Sequence, residues 1–147
     1  MVTTGKIKRS FAPLKMLFLL LFFFLSCGKN EHEYEPIPYV YVNIEMTLID
    51  LKTVNERGWD TIPGGYKGIL VHRLSPSSYV AYERACPYDP LEDCAIIEVE
   101  GSGTTLIDSC CFSRYLMSDG SVFSGPSLMP LKQYYTHFDG QRLIIRN

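Results

Sequence analysis

The sequence predicts an all-β fold, a small antiparallel sandwich or barrel that follows a cleaved export segment and a tether. Three observations lead there. A cationic and then purely apolar stretch occupies the first 26 residues. Beyond residue 38, short apolar or alternating runs recur between Gly, Pro and Ser turns, about every 8–12 residues. Four of the five cysteines gather around one central hairpin.

The export segment comes first. Residues 1–15 contain Lys6, Lys8, Arg9 and Lys15 and no acid; the apolar run 16–25 follows, closed by Ser26 and Cys27. That length suits a secretory signal, since a spanning helix needs roughly 20 apolar residues. Phe24-Leu25-Ser26-Cys27 resembles the lipobox of bacterial lipoproteins, with Phe24 where that pattern more often has leucine. The resemblance implies that Cys27 is lipidated, starts the mature chain and makes the membrane a partner through its anchor. It also implies a cell-envelope location, as an outer-membrane lipoprotein on the periplasmic or surface face. Residues 28–38 are polar, carry Glu31, Glu33 and Glu35, and read as a flexible tether. This acidic stretch resembles the surface-export signals of Bacteroides-like lipoproteins. The expected division is 1–26 signal peptide, 27–38 lipidated cysteine and tether, and 39–147 β domain.

Removing the signal changes the charge. The whole chain balances 14 basic against 16 acidic residues, a formal charge of −2. Residues 1–26 hold four of the basic residues and no acid, so the 121 that remain carry 10 against 16, or −6. Phosphate neutralisation cannot drive binding by such a domain, and no nucleic acid is expected. Its length suffices to bury a core. An aromatic content of 13% excludes a disordered polar chain.

Within the domain, residues 39–49 are rich in β-branched and aromatic side chains and predict a strand. Residues 48–57 have room for one helical turn. Pro63-Gly64-Gly65 is a turn, 68–74 a strand, Ser75-Pro76-Ser77-Ser78 a second turn and 79–82 the returning strand. Residues 94–99 and 104–108 flank Gly101-Ser102-Gly103 as a hairpin. Residues 121–123 and 143–145 complete the set, the latter after Asp139-Gly140.

Few residue patterns here carry chemistry. The chain has no Gly-rich phosphate loop, nucleophile elbow or paired-histidine metalloprotease motif. His32 lies in the tether, His72 in a strand and His137 near the last hairpin; single histidines so placed are ordinary surface or core residues. Cys86, Cys94, Cys110 and Cys111 are candidate disulfide cysteines, because export leads to an oxidising compartment. Around a turn centred on Ser102, Cys94 and Cys110 are equidistant and can face each other across the hairpin, leaving Cys86 and Cys111 as a second pair. Four cysteines allow three pairings, so connectivity stays open.

The segment 68–134 resembles a Rieske domain, the small β fold that usually holds a [2Fe–2S] cluster. Tyr115, Gly120, Val122, Gly125-Pro126, Pro130-Leu131 and Tyr134 carry the resemblance, with Tyr82, Arg84, Cys86-Pro87 and Leu91 upstream. The family supplies its ligands as C-x-H in one loop and C-x-x-H in the next, two thiolates on one iron and two imidazoles on the other. Cys86 matches the first cysteine, while Tyr88 stands at the first histidine position. Registered backward from Tyr115 and Gly120, Asp108 occupies the second cysteine position and Cys111 the second histidine position. Cys110 falls where some members carry a disulfide cysteine. Cys86, Tyr88, Asp108 and Cys111 are thus vestigial cluster positions. A phenol ionises near pH 10 and replaces imidazole poorly.

A four-cysteine cluster or zinc site meets a geometric objection, since adjacent strand residues such as Cys110 and Cys111 point to opposite faces. The expectation is therefore a Rieske scaffold with no catalytic residue, no metal and no cofactor. It would be a non-enzymatic binding or structural module in the envelope, its partner an envelope protein or glycan. The alternative is a [2Fe–2S] electron-transfer lipoprotein with non-standard ligands. A third reading, thiol redox through Cys110 and Cys111, lacks the C-x-x-C spacing.

Overall fold

The computed structural model describes residues 36–147. The expected signal segment, Cys27 and most of the expected tether lie outside them. The elements are β1 (Asn43–Thr47), α1 (Lys52–Arg57), β2 (Trp59–Ile62), β3 (Ile69–Ser75), β4 (Ser78–Glu83), β5 (Ile97–Val99), β6 (Thr105–Asp108), β7 (Arg114–Leu116), β8 (Val122–Ser124), β9 (Gln133–Phe138) and β10 (Arg142–Arg146). They form two antiparallel sheets. A base of six strands runs β1-β10-β9-β4-β3-β2, and a tip of four runs β5-β6-β7-β8. Among the described residues, no helix is long and apolar enough to cross a membrane.

The base is built on β3 and β4, which are apolar on both faces. Ile69, Val71, Tyr79 and Ala81 join one core with Val42, Met46, Leu51, Val54, Tyr134, Leu143 and Ile145. The intervening Leu70, Val80 and Tyr82 point the other way, into a second core with Cys86, Ala95, Ile97, Leu106, Tyr115, Met117 and Leu131. Side chains alternate along a strand, so two unbroken apolar strands serve two cores at once. The one helical turn forms where the sequence has room for it, with Gly58 in a left-handed conformation (φ 92°) as its C-terminal stop.

The central hairpin forms around the glycine turn, but its strands are shorter than the apolar runs. Ile97 faces Asp108 and Val99 faces Leu106. This register centres the hairpin between Ser102 and Gly103, half a residue from the expected centre on Ser102. Continued outward, it would set Cys94 opposite Cys111, not Cys110. The ladder ends before either cysteine, and Cys94 lies in the loop ahead of β5. β2, β7 and β9 are strands that the apolar pattern does not announce: Trp59–Ile62 mixes Asp60 and Thr61, and β9 carries Gln133, Thr136 and His137.

The tip is an excursion from the base. The chain leaves after β4 and returns at β9, and these strands pair directly, Ala81 with Tyr134 and Tyr82 with Gln133. The junction is pinned from inside by Glu83, whose side chain is fully buried. Its Oε2 accepts the Tyr66 N–H and the Tyr134 hydroxyl, each at 2.7 Å. Its Oε1 accepts the Lys67 N–H at 2.9 Å and the Ala85 N–H at 3.1 Å. Four donors satisfy the carboxylate, and among the described residues no cation pairs with it. Gly65 makes this possible, since its φ is 63° and a Cβ there would meet Glu83 Oε2 at 2.3 Å.

Candidate functional site

Three loops at the end of the tip bring the sulfur and carboxyl groups together. In the first, Ala85 bridges Ile96 and the Cys86 N–H donates to the Ala95 carbonyl at 3.2 Å. This pairing drives the Cys86 side chain into the tip core, where it is fully buried. The second loop links β6 to β7 in a tight turn: the Phe112 N–H donates to the Asp108 carbonyl at 2.8 Å, and the Asp108 N–H to the Ser113 carbonyl at 2.9 Å. Phe112 holds a positive φ of 61°, uncommon for a large side chain. The third loop lies across the second: Gly125, at φ 110°, packs so closely that a Cβ would fall 2.5 Å from the Ser113 Cα. The Ser127 N–H donates to Ser113 Oγ at 3.0 Å.

The side chains converge on Cys111. Its Sγ lies 3.7 Å from Cys86 Sγ, 3.2 Å from Asp108 Oδ2 and 3.0 Å from Ser113 Oγ. Cys86, Asp108 and Cys111 offer ligand atoms that all fall within 4.8 Å of one another. The Tyr115 hydroxyl sits 3.3 Å from Cys86 Sγ. Asp108 is fully buried, and its Oδ1 accepts the Cys110 N–H at 2.8 Å. Among the described residues, no ion pair reaches it. Burial, followed by the adjacent Asp108 carboxylate, pushes the Cys86 thiol well above the ordinary range. Burial is also the main reason the Cys111 thiol is raised. The Tyr115 phenol is raised by burial and then by its contact with Cys86.

Cys94 and Cys110 form a disulfide with Cα atoms 5.4 Å apart, and Cys86 and Cys111 are free thiols. The bond links the first loop to the second. Loop geometry makes this pair, since the hairpin register itself does not set Cys94 against Cys110. Cys110 and Cys111 diverge, one to the disulfide and the other to the thiol–carboxyl group. Of the four positions that the sequence aligns with cluster ligands, the structure joins Cys86, Asp108 and Cys111, while Tyr88 packs against the same core, half-buried. Tyr115 and Ser113, which line the group, carry no sequence signal of that role: Tyr115 stands out only as a framework aromatic, and Ser113 not at all.

A Rieske cluster asks for two thiolates and two imidazoles. His72 Nδ1 is bonded to the Gly58 carbonyl at 2.8 Å, within the base. His137 pairs with Ile144 across β9 and β10. His32 lies outside the described residues. Three donors, one a carboxylate and none an imidazole, do not fit that cluster.

Neither a family model nor a curated protein matches the sequence. Among solved structures, the chain is similar to the cyanobacterial plasma membrane Rieske protein PetC3 from Synechocystis PCC 6803. The TM-score is 0.52 at 17% identity, over 74% of this chain and 100% of that one. The all-β domain therefore has a Rieske-like fold.

Proposed function

We propose that the chain is a lipid-anchored cell-envelope protein whose Rieske-like domain works without an iron–sulfur cluster, as a non-catalytic binding or structural module. The observation that carries this reading is the donor set at the tip, two thiols and a carboxyl with no histidine beside them among the described residues. The anchor rests on the lipobox resemblance at Cys27, and the Cys94–Cys110 bond suits an oxidising compartment.

A binding role draws support from the surface of the same tip. Phe112 is 65% exposed and Leu128 79%. Pro87, Met129, Pro130 and Lys132 line an open groove of about 550 Å³ with Pro36 and Ile37. Exposed apolar side chains and a groove on an acidic domain suit a contact face for an envelope partner.

The test is iron content and visible absorbance of the full chain, purified in detergent with oxygen excluded. The expected protein is colourless and free of iron. Stoichiometric iron with sulfur-to-iron charge-transfer bands would overturn the reading and establish an electron carrier with unusual ligands.

A further inference from the structure

We infer that Cys86, Cys111 and Asp108 form a mononuclear site for a thiophilic divalent ion of the zinc class, held by two thiolates and one carboxylate at the tip of the domain. The inference goes beyond the module reading and rests on it in one respect, that lipidation takes the Cys27 thiol out of the thiol count.

Geometry is the first argument. Two thiolates each about 2.3 Å from a tetrahedral ion stand roughly 3.8 Å apart, and a thiolate and a carboxylate oxygen roughly 3.5 Å. The sulfurs here are 3.7 Å apart, and Cys111 Sγ is 3.2 Å from Asp108 Oδ2. Two of the three donor pairs therefore stand close to the spacing that one tetrahedral ion imposes, and the third lies within 4.8 Å. The objection to adjacent cysteines falls away, because Cys110 is committed to Cys94 and only Cys111 turns inward.

The charge of the pocket is the second argument. Asp108 is buried and accepts from the Cys110 N–H and the Cys111 thiol, with no cation beside it among the described residues, so its carboxyl has lone pairs open to an ion. Cys86 Sγ has the Tyr115 hydroxyl at 3.3 Å, a donor suited to a thiolate. Binding a divalent ion releases the two thiol protons to solvent and changes no oxidation state. Two thiolates, one carboxylate and the ion leave a net charge of −1. Access and the fourth coordination position lie on the side of Cys111, the partly exposed member, where Ser113 Oγ or a water completes the tetrahedron.

The experiment uses the full chain, untagged, in detergent, with oxygen excluded and no added reductant. Free thiols are counted, then Co2+ and Zn2+ are titrated while absorbance and proton release are followed. The expected result is two free thiols, one ion per chain, a thiolate-to-cobalt charge-transfer band and two protons released per ion. Zn2+ should remove the cobalt band and shield both thiols from alkylation. Cys111→Ser should abolish the band, and Asp108→Asn should weaken binding by about tenfold or more. Asp108→Asn keeps the side-chain shape, so it carries the test if Cys111→Ser fails to fold. A count of zero free thiols would mean a Cys86–Cys111 disulfide and would overturn the site. So would cobalt binding without a charge-transfer band, or binding unchanged in a folded Asp108→Asn protein. Iron in the purified protein would count against the module reading, whereas failure to bind Co2+ and Zn2+ counts against this site alone.

Discussion

The Tyr134 hydroxyl donates to Glu83 Oε2 at 2.7 Å across 51 positions of sequence, in the fully buried junction between base and tip. Tyr134→Phe removes one of four donors and keeps the ring, so it should cost about 1.5–3 kcal/mol, the range for hydrogen bonds to charged groups. Glu83→Gln turns an amide N–H2 toward backbone N–H donors and should cost more. Urea unfolding with an unchanged m-value would check both, and a neutral Tyr134→Phe would contradict the proposed role of the bond.

Gly125 should tolerate no side chain. An added Cβ meets backbone at Ser113 Cα, which no rotamer change relieves, and the φ of 110° is itself unfavourable for an L-residue. Gly125→Ala should lose roughly 2–4 kcal/mol, while Gly140→Ala, where a Cβ has nothing within 4 Å, should lose less. Paired melting curves test the contrast.

The Cys94–Cys110 bond spans 16 positions and joins two loops of the tip. Its removal in the double variant Cys94→Ser/Cys110→Ser should cost about 3 kcal/mol. Denaturant unfolding of the variant against the unreduced parent measures it.

Stability should fall at both ends of the pH range. Burial, and secondarily Asp119, raises the Tyr82 phenol above its unfolded value, and burial followed by Glu83 raises that of Tyr134. A raised folded value favours the neutral phenol. The stabilisation is complete below the unfolded value near pH 10 and disappears as pH climbs towards the folded values. On the acid side, the Asp139 carboxylate is lowered by accepting the Gln141 and Arg142 N–H groups, so its contribution holds above about pH 4 and is lost as pH falls through the folded value. Melting temperature measured from pH 2 to 11 should show a plateau with two declining limbs. Tyr82→Phe should soften the alkaline limb.

Cys27→Ser should release the protein from membranes, because one thiol carries the proposed anchor. Unchanged partitioning into detergent would refute lipidation at that residue.

The Rieske-like framework is legible in the sequence because its requirements are steric and local. Gly120 holds φ 71° and would drive a Cβ to within 2.8 Å of the Tyr82 ring, so no other residue serves there. Buried aromatics such as Tyr115 and Tyr134 leave an equally clear trace. β2 and β9 escape notice because their polar residues face outward or pair across the sheet, and their apolar content alone is too thin. The Cys86–Cys111 approach is invisible for another reason. It depends on how three loops stack beyond the last ladder pair, and neither periodicity nor turn chemistry encodes that. Glu83 reads in sequence as one more surface acid, since its four donors come from three separate segments of chain.

The tip begins and ends at neighbouring points of one ladder, with the Glu83 N–H bonded to the Lys132 carbonyl at 2.9 Å where it closes. Both junctions between base and tip therefore lie side by side, while Leu70, Val80 and Tyr82 of the base pack into the tip core. Residues 84–132 form one excursion that leaves and rejoins the base at a single place. That arrangement lets residues of the tip loops change without shifting the pairing of β4 with β9.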